Sequence, residues 1–329
     1  MIITSIDQVQ EHVQIAQNVQ YASLAPYIAI AQTNFSNEWL GAEFTQIIDD
    51  LAQFSLGENP TEEQLLNAKL VKLTRAVLSN FAVLAAVPFF EVMFSESGIT
   101  RNETEQSKTA FRGQVKRLED GLLVNGFNAM EELFLFLDAN TVNYPFWADA
   151  PGYVQWNKYF FRSAREMNTF YPLKYGRVTF QKLTTHMQHI EDFFLESELG
   201  INQTIALKVL ARSTEELEPI EDKVVHNLKR CIVHLALAKA VIEGYIDITP
   251  NGAVFVVPSA DNTEGNNTTQ PELVNPKALQ LERVGMDYWG KTIKLMKANE
   301  DEFPSYHQYM QEIQEATKLK PLSGGLYMP

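Results

Sequence analysis

Residues 24–51 carry the pattern that decides the fold, and they read LAPYIAIAQTNFSNEWLGAEFTQIIDDL. The first apolar side chains recur at helical spacing: Leu24, Ile28, Ala31 and Phe35. The Leu-Gly pair at positions 40 and 41 predicts the end of this helix, because glycine readily adopts the conformation that follows a helix C-terminus. The apolar run through Leu51 predicts a short helix directly after it.

The same order of features returns later in the chain, and this predicts an internal duplication. Residues 183–210 repeat the helix, the Leu-Gly pair and the short helix at an offset of 159. After a four-residue change in length, the long apolar helices that follow align at an offset of 155, which places Arg230 on Arg75.

Several helix starts can be located from their capping residues. Ser5 with Gln8, and Thr61 with Gln64, have the spacing of a capping box, in which two side chains satisfy backbone N–H groups reciprocally. Ser23 predicts the start of a further helix, whose first turn tolerates a proline. The helix opened at Thr61 is predicted to be long and apolar.

A β-hairpin is predicted after the second long helix. Residues 246–257 contain β-forming residues on both sides of Asn251-Gly252, a pair that favours a tight hairpin turn. Residues 94–100 form a weaker analogue in the first copy. The predicted fold class is therefore mainly α, a duplicated helical-bundle unit with a small β-hairpin insertion.

We expect four segments along the chain. Residues 1–100 form a first helical unit, and residues 101–178 form a helical bridge with an aromatic loop. Residues 179–258 form the second helical unit with the hairpin. Residues 259–329 contain a polar, mobile loop up to Pro271, two C-terminal helices and a docking tail.

Charge and cysteine content exclude several classes of function. The net charge of −14 argues against nucleic-acid binding and against anionic membrane surfaces, since both normally need a basic patch. The single cysteine, Cys231, allows no internal disulfide and is interpreted as a buried structural thiol. No leader is predicted, and no apolar run approaches the roughly 20 residues of a membrane span.

The sequence contains no motif that indicates an enzyme. Phosphate-binding glycine loops, the nucleophile elbow of hydrolases and the cysteine sets of zinc ribbons are all missing from it. His186 and His189 lie three residues apart, but a metal site would need a further ligand from elsewhere. We therefore expect no catalytic residue, no cofactor and no metal.

Two segments are candidates for docking a partner. The aromatic loop of residues 144–153 contains Trp147 and Tyr153, and it is either a structural staple between the two copies or the lining of a sugar or peptide site. The tail of residues 321–329 lacks periodicity, yet it offers three apolar side chains that could dock onto a neighbour: Leu326, Tyr327 and Met328.

Several stretches resemble a known group of proteins. The opening TSIDQV of residues 4–9, SLAPYI of residues 23–28 and the Trp-Leu-Gly stop at residue 41 are similar to helical proteins of Bacteroidetes phages and prophages. Residues 97–101, 107–116 and 176–180 also match, so that the resemblance covers most of residues 1–255. The early segment resembles the helical head-to-tail connector proteins of tailed phages.

The resemblance implies a structural neck protein of a tailed bacteriophage. Such an adaptor would form a homo-oligomeric ring of about twelve copies between the portal protein and other neck or tail proteins. DNA would pass through its lumen without specific binding, and no membrane would be involved. The implied location is the virion, at the portal–tail junction, after folding in the host cytoplasm.

Two alternatives from other classes stay open at this stage. A peptide- or glycan-binding helical module would use the aromatic loop as a shallow groove. An enzyme with an unrecognised site would show a deep pocket with converging polar groups.

Overall fold

The computed structural model describes residues 1–90, 92–95, 98–101, 111–213, 215–244, 246–249, 252–255 and 271–319. The chain divides into two compact units instead of the four expected segments. The first unit comprises Met1–Lys158 with Tyr175–Val178, and the second comprises Tyr159–Lys174 with Thr179–Pro329. The polar loop of residues 259–270 and the tail of residues 321–329 lie outside the described residues.

Helices dominate the first half of the chain. They are α1 (Ile6–Gln10), α2 (Tyr21–Phe35) with a π-helical turn (Ser36–Leu40), α3 (Ala42–Leu51), α4 (Glu62–Phe90), α5 (Arg112–Ala139), a 3-10 turn (Pro145–Trp147) and α6 (Pro151–Trp156). Strands β1 (Val92–Ser95) and β2 (Gly98–Arg101) form an antiparallel hairpin.

The second half of the chain follows the same order. Its helices are α7 (Ala164–Asn168), α8 (Arg177–His189) with a π-helical turn (Ile190–Leu195), α9 (Glu196–Leu199), α10 (Ile201–Arg212), α11 (Pro219–Ile242), α12 (Pro271–Ala298) and α13 (Pro304–Leu319). Strands β3 (Ile246–Thr249) and β4 (Gly252–Phe255) form the predicted hairpin. The mainly helical, duplicated fold class is confirmed.

Both predicted capping boxes are present. The backbone N–H of Gln8 donates to the Ser5 hydroxyl, and the Gln8 side chain accepts from the Ser5 backbone in return. Thr61 and Gln64 make the same two bonds, with donor–acceptor distances of 2.9 and 3.2 Å. Helix α2 starts at Tyr21, two residues before the predicted Ser23.

The Leu-Gly pairs that end the helix in each unit, at residues 40–41 and 199–200, have the same glycine conformation. Gly41 has φ 79° and ψ 157°, and Gly200 has φ 80° and ψ 152°. A threonine four residues later donates its hydroxyl to the glycine carbonyl in each unit, Thr45 at 2.8 Å and Thr204 at 3.0 Å. The backbone region with positive φ explains why glycine occupies both positions.

The long helices α4 and α11 align at an offset of 154, one less than the sequence comparison predicted. Arg75 donates to the carbonyl of Ala52, and Lys229 donates to the carbonyl of Ala211. The two acceptors are equivalent by the offset of 159 that relates α3 to α10. Lys229 is therefore the counterpart of Arg75, and Arg230 is not.

Helix α5 belongs to the repeated unit and is not a bridge between the copies. Helices α5 and α12 each span 28 residues and start 159 positions apart. A Cβ atom on Gly126 would lie 2.9 Å from the Phe81 ring, and one on Gly285 would lie 2.9 Å from Leu235. Both units therefore use a glycine to bring this helix close to the long central helix.

Two helix boundaries limit the segments around the second unit. Helix α6 ends at Trp156, and a separate short helix begins at Ala164. Helix α12 begins at Pro271, the last residue of the loop that was expected to be mobile.

Helix α4 is long and apolar enough to cross a membrane by length and composition alone. In this structure, 61% of its most apolar 18-residue window is buried. Its packing against α2 and α5 within the first unit accounts for the apolar side chains, as in the core helix of a packed domain.

The close approach of α12 to α11 gives a direct test of the fold. Changing Gly285→Ala places a methyl group 2.9 Å from Leu235 and 3.3 Å from the Cys231 carbonyl oxygen. We expect the free energy of unfolding to fall by about 1–3 kcal/mol, because the added atom overpacks the contact. Chemical denaturation of the purified variant measures this change.

Gly290 is the matched control on the same helix, since a Cβ there meets no atom within 4 Å. Gly290→Ala should stabilise the protein by about 0.5–1 kcal/mol through helix propensity. Equal effects of the two substitutions would contradict the close packing of α12 on α11.

Candidate interaction surfaces

The aromatic loop lies in the core of the first unit and lines no groove. Trp147 is fully buried, and its ring centroid lies 5.0 Å from that of Phe134. Trp39 and Trp156 each lie 5.6 Å from the same Phe134 ring. Trp147 is thus inaccessible to a partner, which corrects its assignment as a docking residue.

Tyr153 is half-buried and packs edge-on against Trp147 at 5.8 Å. It too takes part in the first unit's aromatic core. The aromatic rings that contact Trp147 and Tyr153 all belong to the first unit, so these ring contacts do not link the two copies. The other three docking candidates lie outside the described residues: Leu326, Tyr327 and Met328.

A buried arginine completes this aromatic core. The Arg177 guanidinium lies over the ring of Trp156, 5.1 Å from its centroid, and 5.8 Å from that of Phe134. Burial lowers the pKa of Arg177 to about 10, although the Glu131 carboxylate opposes that shift. The residue holds its backbone segment in the first unit and presents no charge at the surface.

The two histidines of α8 do not form a metal site with each other. His186 is buried, and its Nδ1 lies 3.7 Å from a carboxylate oxygen of Glu243. Burial lowers the pKa of His186, which Glu243 partly offsets. The His189 ring instead packs on Phe193 at 4.8 Å. Among the described residues, no group of three potential metal ligands occurs.

A buried ion pair of the second unit fixes α10 in place. Lys208 Nζ lies 2.9 Å from Glu191 Oε2, and the backbone N–H of Phe160 donates to Glu191 Oε1 at 3.0 Å. Burial raises the pKa of Glu191, while Lys208 favours the charged form. These partners give the carboxylate a structural role.

Helix α10 has an apolar outer face. Its exposed side chains lie at positions i, i+4 and i+8, and are 58%, 56% and 63% exposed: Ile201, Ile205 and Val209. We call these three residues the α10 ridge. The equivalent positions on α3 of the first unit are Ala42, Gln46 and Asp50, so the ridge occurs in the second unit alone.

The first unit has a different exposed apolar element. The connection between α3 and α4, residues 52–61, carries Phe54 at 80% exposure and Leu56 at 50%. We call this connection the Phe54 loop. It spans ten residues, whereas the connection between α10 and α11, residues 213–218, spans six.

Comparison with known proteins adds the family to this description. The sequence profile of a family of unknown function (DUF6712) matches residues 37–155 and again residues 191–311. The chain belongs to DUF6712. One DUF6712 match falls in each structural unit, and the two begin 154 positions apart, which is the offset at which residues of the long helices align. No curated protein and no solved structure matches the chain.

The environment of the single cysteine predicts its reactivity. Cys231 is fully buried on α11, and burial raises the pKa of its thiol to about 12. A thiol-specific dye should therefore label the native protein more than about a hundredfold more slowly than the unfolded chain, because labelling requires opening of the core. Absorbance stopped-flow with and without guanidinium measures both rates. Rapid labelling of the native protein would contradict the burial of α11.

Proposed function

We propose that this DUF6712 chain is a structural neck protein of a tailed bacteriophage. It acts as a head-to-tail adaptor, and copies of it form a ring between the portal protein and the tail around the DNA channel. The resemblance to phage helical proteins in residues 4–41 motivates this proposal, and the duplicated helical architecture is compatible with it.

The observation that carries the proposal is that, among the described residues, each unit exposes an apolar element that differs from the equivalent segment of the other unit. The Phe54 loop occurs in the first unit, and the α10 ridge occurs in the second. A chain with two unlike adhesive surfaces can associate head to tail, and such contacts generate rings when the rotation closes. This supports an assembly protein more than a monomeric binding module.

The side chains that could have indicated another chemistry have structural roles instead. Trp147 and Trp156 lie in the core, which removes the aromatic groove that a peptide- or glycan-binding module would need. Cys231 is buried, and His186 faces Glu243. If the protein does not assemble, an enzyme with an unfamiliar site becomes the favoured alternative.

The charge of the chain fits passage of DNA through such a ring. A net charge of −14 per copy, repeated in about a dozen copies, concentrates negative charge around the channel. DNA carries one charge per about 1.7 Å of its axis, so an acidic or neutral lumen would let it slide where a basic lumen would bind it.

The proposal predicts a salt-dependent ring. Mass photometry of the purified protein should show monomers and a closed oligomer of about twelve copies. Moderate salt should favour the oligomer, because it screens the repulsion between acidic copies. Addition of the portal protein should shift the population further toward the ring, and electron microscopy of intact particles should locate it at the neck.

A chain that stays monomeric with portal and tail proteins, and that is absent from purified particles, would rule out the adaptor function. An unrelated acidic protein of similar size, mixed with the portal protein under the same salt conditions, controls for nonspecific association.

A further inference from the structure

The α10 ridge is held in an outward orientation by the opposite face of the helix. Leu207, Gln203 and Thr204 are buried on that inner face. The Gln203 side chain accepts a hydrogen bond from the backbone N–H of Tyr306 at 3.1 Å, and Lys208 is fixed by its ion pair with Glu191. Rotating α10 to bury the ridge would break these interactions, so the ridge stays available to another molecule.

The base of the Phe54 loop is held equally firmly. The backbone N–H of Phe54 donates to the carbonyl of Leu51 at 3.2 Å, and Arg75 donates to the carbonyl of Ala52 at 3.1 Å. Arg75 also donates to the Ile2 carbonyl at 2.9 Å. The fixed base presents the exposed Phe54 ring as a projecting apolar group.

The two elements also differ in charge. Residues 1–68, which include the Phe54 loop, contain nine acidic residues and no lysine or arginine. Helix α10 itself contains Lys208 and Arg212 and no acidic residue, and the nearest acidic residues in the sequence lie beyond its two ends, at Glu198 and Glu215. Lys208 already pairs within its own unit and is not available for a new ion pair. The opposite charges of the loop and the helix therefore act mainly by orienting the two surfaces as they approach.

We propose that the Phe54 loop of one copy docks on the α10 ridge of the next copy. This inference rests on the proposed ring and names its contact. The phenyl ring of Phe54 packs across Ile201, Ile205 and Val209, and the acidic surroundings of the loop face the basic helix. Because the two surfaces lie on different units of each chain, the contact is head to tail and every copy supplies both halves.

A mixing experiment tests this contact. Phe54→Glu removes the projecting ring. Ile205→Glu places a negative charge in the middle of the ridge, where it repels the acidic surroundings of the loop. Each variant alone should lose self-association by at least about a hundredfold in dissociation constant. An equal mixture of the two variants should form dimers that do not grow, because one intact loop then meets one intact ridge. Sedimentation velocity separates these states.

Val142→Glu is the matched control, because Val142 is 93% exposed on the first unit and belongs to neither surface. It should assemble like the unmodified chain. Circular dichroism melting checks that all three variants fold. Assembly that survives Phe54→Glu or Ile205→Glu, or a mixture that forms no dimer, would overturn the contact.

Crosslinking gives a second measurement. A chain with both Ser55→Cys and Ala206→Cys, two exposed positions beside Phe54 and Ile205 that leave both surfaces intact, should form a covalent ladder of multimers on mild oxidation, while the buried Cys231 stays unreacted. Either single variant should stop short of a ladder. A double variant that forms no ladder would overturn the contact.

The failure of this inference can be told apart from the failure of the proposed function. A ring that forms in both glutamate variants leaves the adaptor function standing and assigns the contact to other residues. A chain that is monomeric throughout overturns the contact, and particle composition then decides the adaptor function separately.

Discussion

The burial of one long helix constrains the second unit. Fifteen of the 24 residues of α11 are buried, including Asn227, Lys229 and His234. A helix buried on nearly all sides cannot exist alone and must be covered by other elements. Its polar side chains must also find partners, since an unpaired buried charge is costly. Lys229 therefore donates to Glu166 and to the Ala211 carbonyl, and His234 donates from Nδ1 to the Arg230 carbonyl.

The same constraint explains why the two units agree inside and differ outside. Gly126 and Gly285 occupy equivalent positions because any larger side chain would push the helices apart. At the surface no such limit acts, so Asp50 on α3 corresponds to Val209 on α10 although both positions are helical. Interior positions preserve the duplicated fold, and the solvent-facing positions are where the units have acquired different properties.

Much of the fold could be predicted from local patterns, because capping boxes and the Leu-Gly stop act over a few residues. The offset of the long helices was wrong by one because Arg75 was matched to an identical residue, whereas the structure matches it to Lys229 by the carbonyl it binds. Helix α5 was misplaced as a bridge, although Gly126 and Gly285 at an offset of 159 were a usable signal. Burial of Trp147 depends on distant partners such as Trp39, so no local pattern could separate core from docking surface.

Because the two unlike units are joined in one polypeptide, the number of first units always equals the number of second units. In the proposed head-to-tail contact, loop-bearing and ridge-bearing units made as separate proteins would have to be matched by expression, and any surplus of one would cap growing assemblies. Translation of a single chain delivers both units in equal number at every moment. Stoichiometric control is thus built into the gene product itself, independently of how many copies an assembly contains.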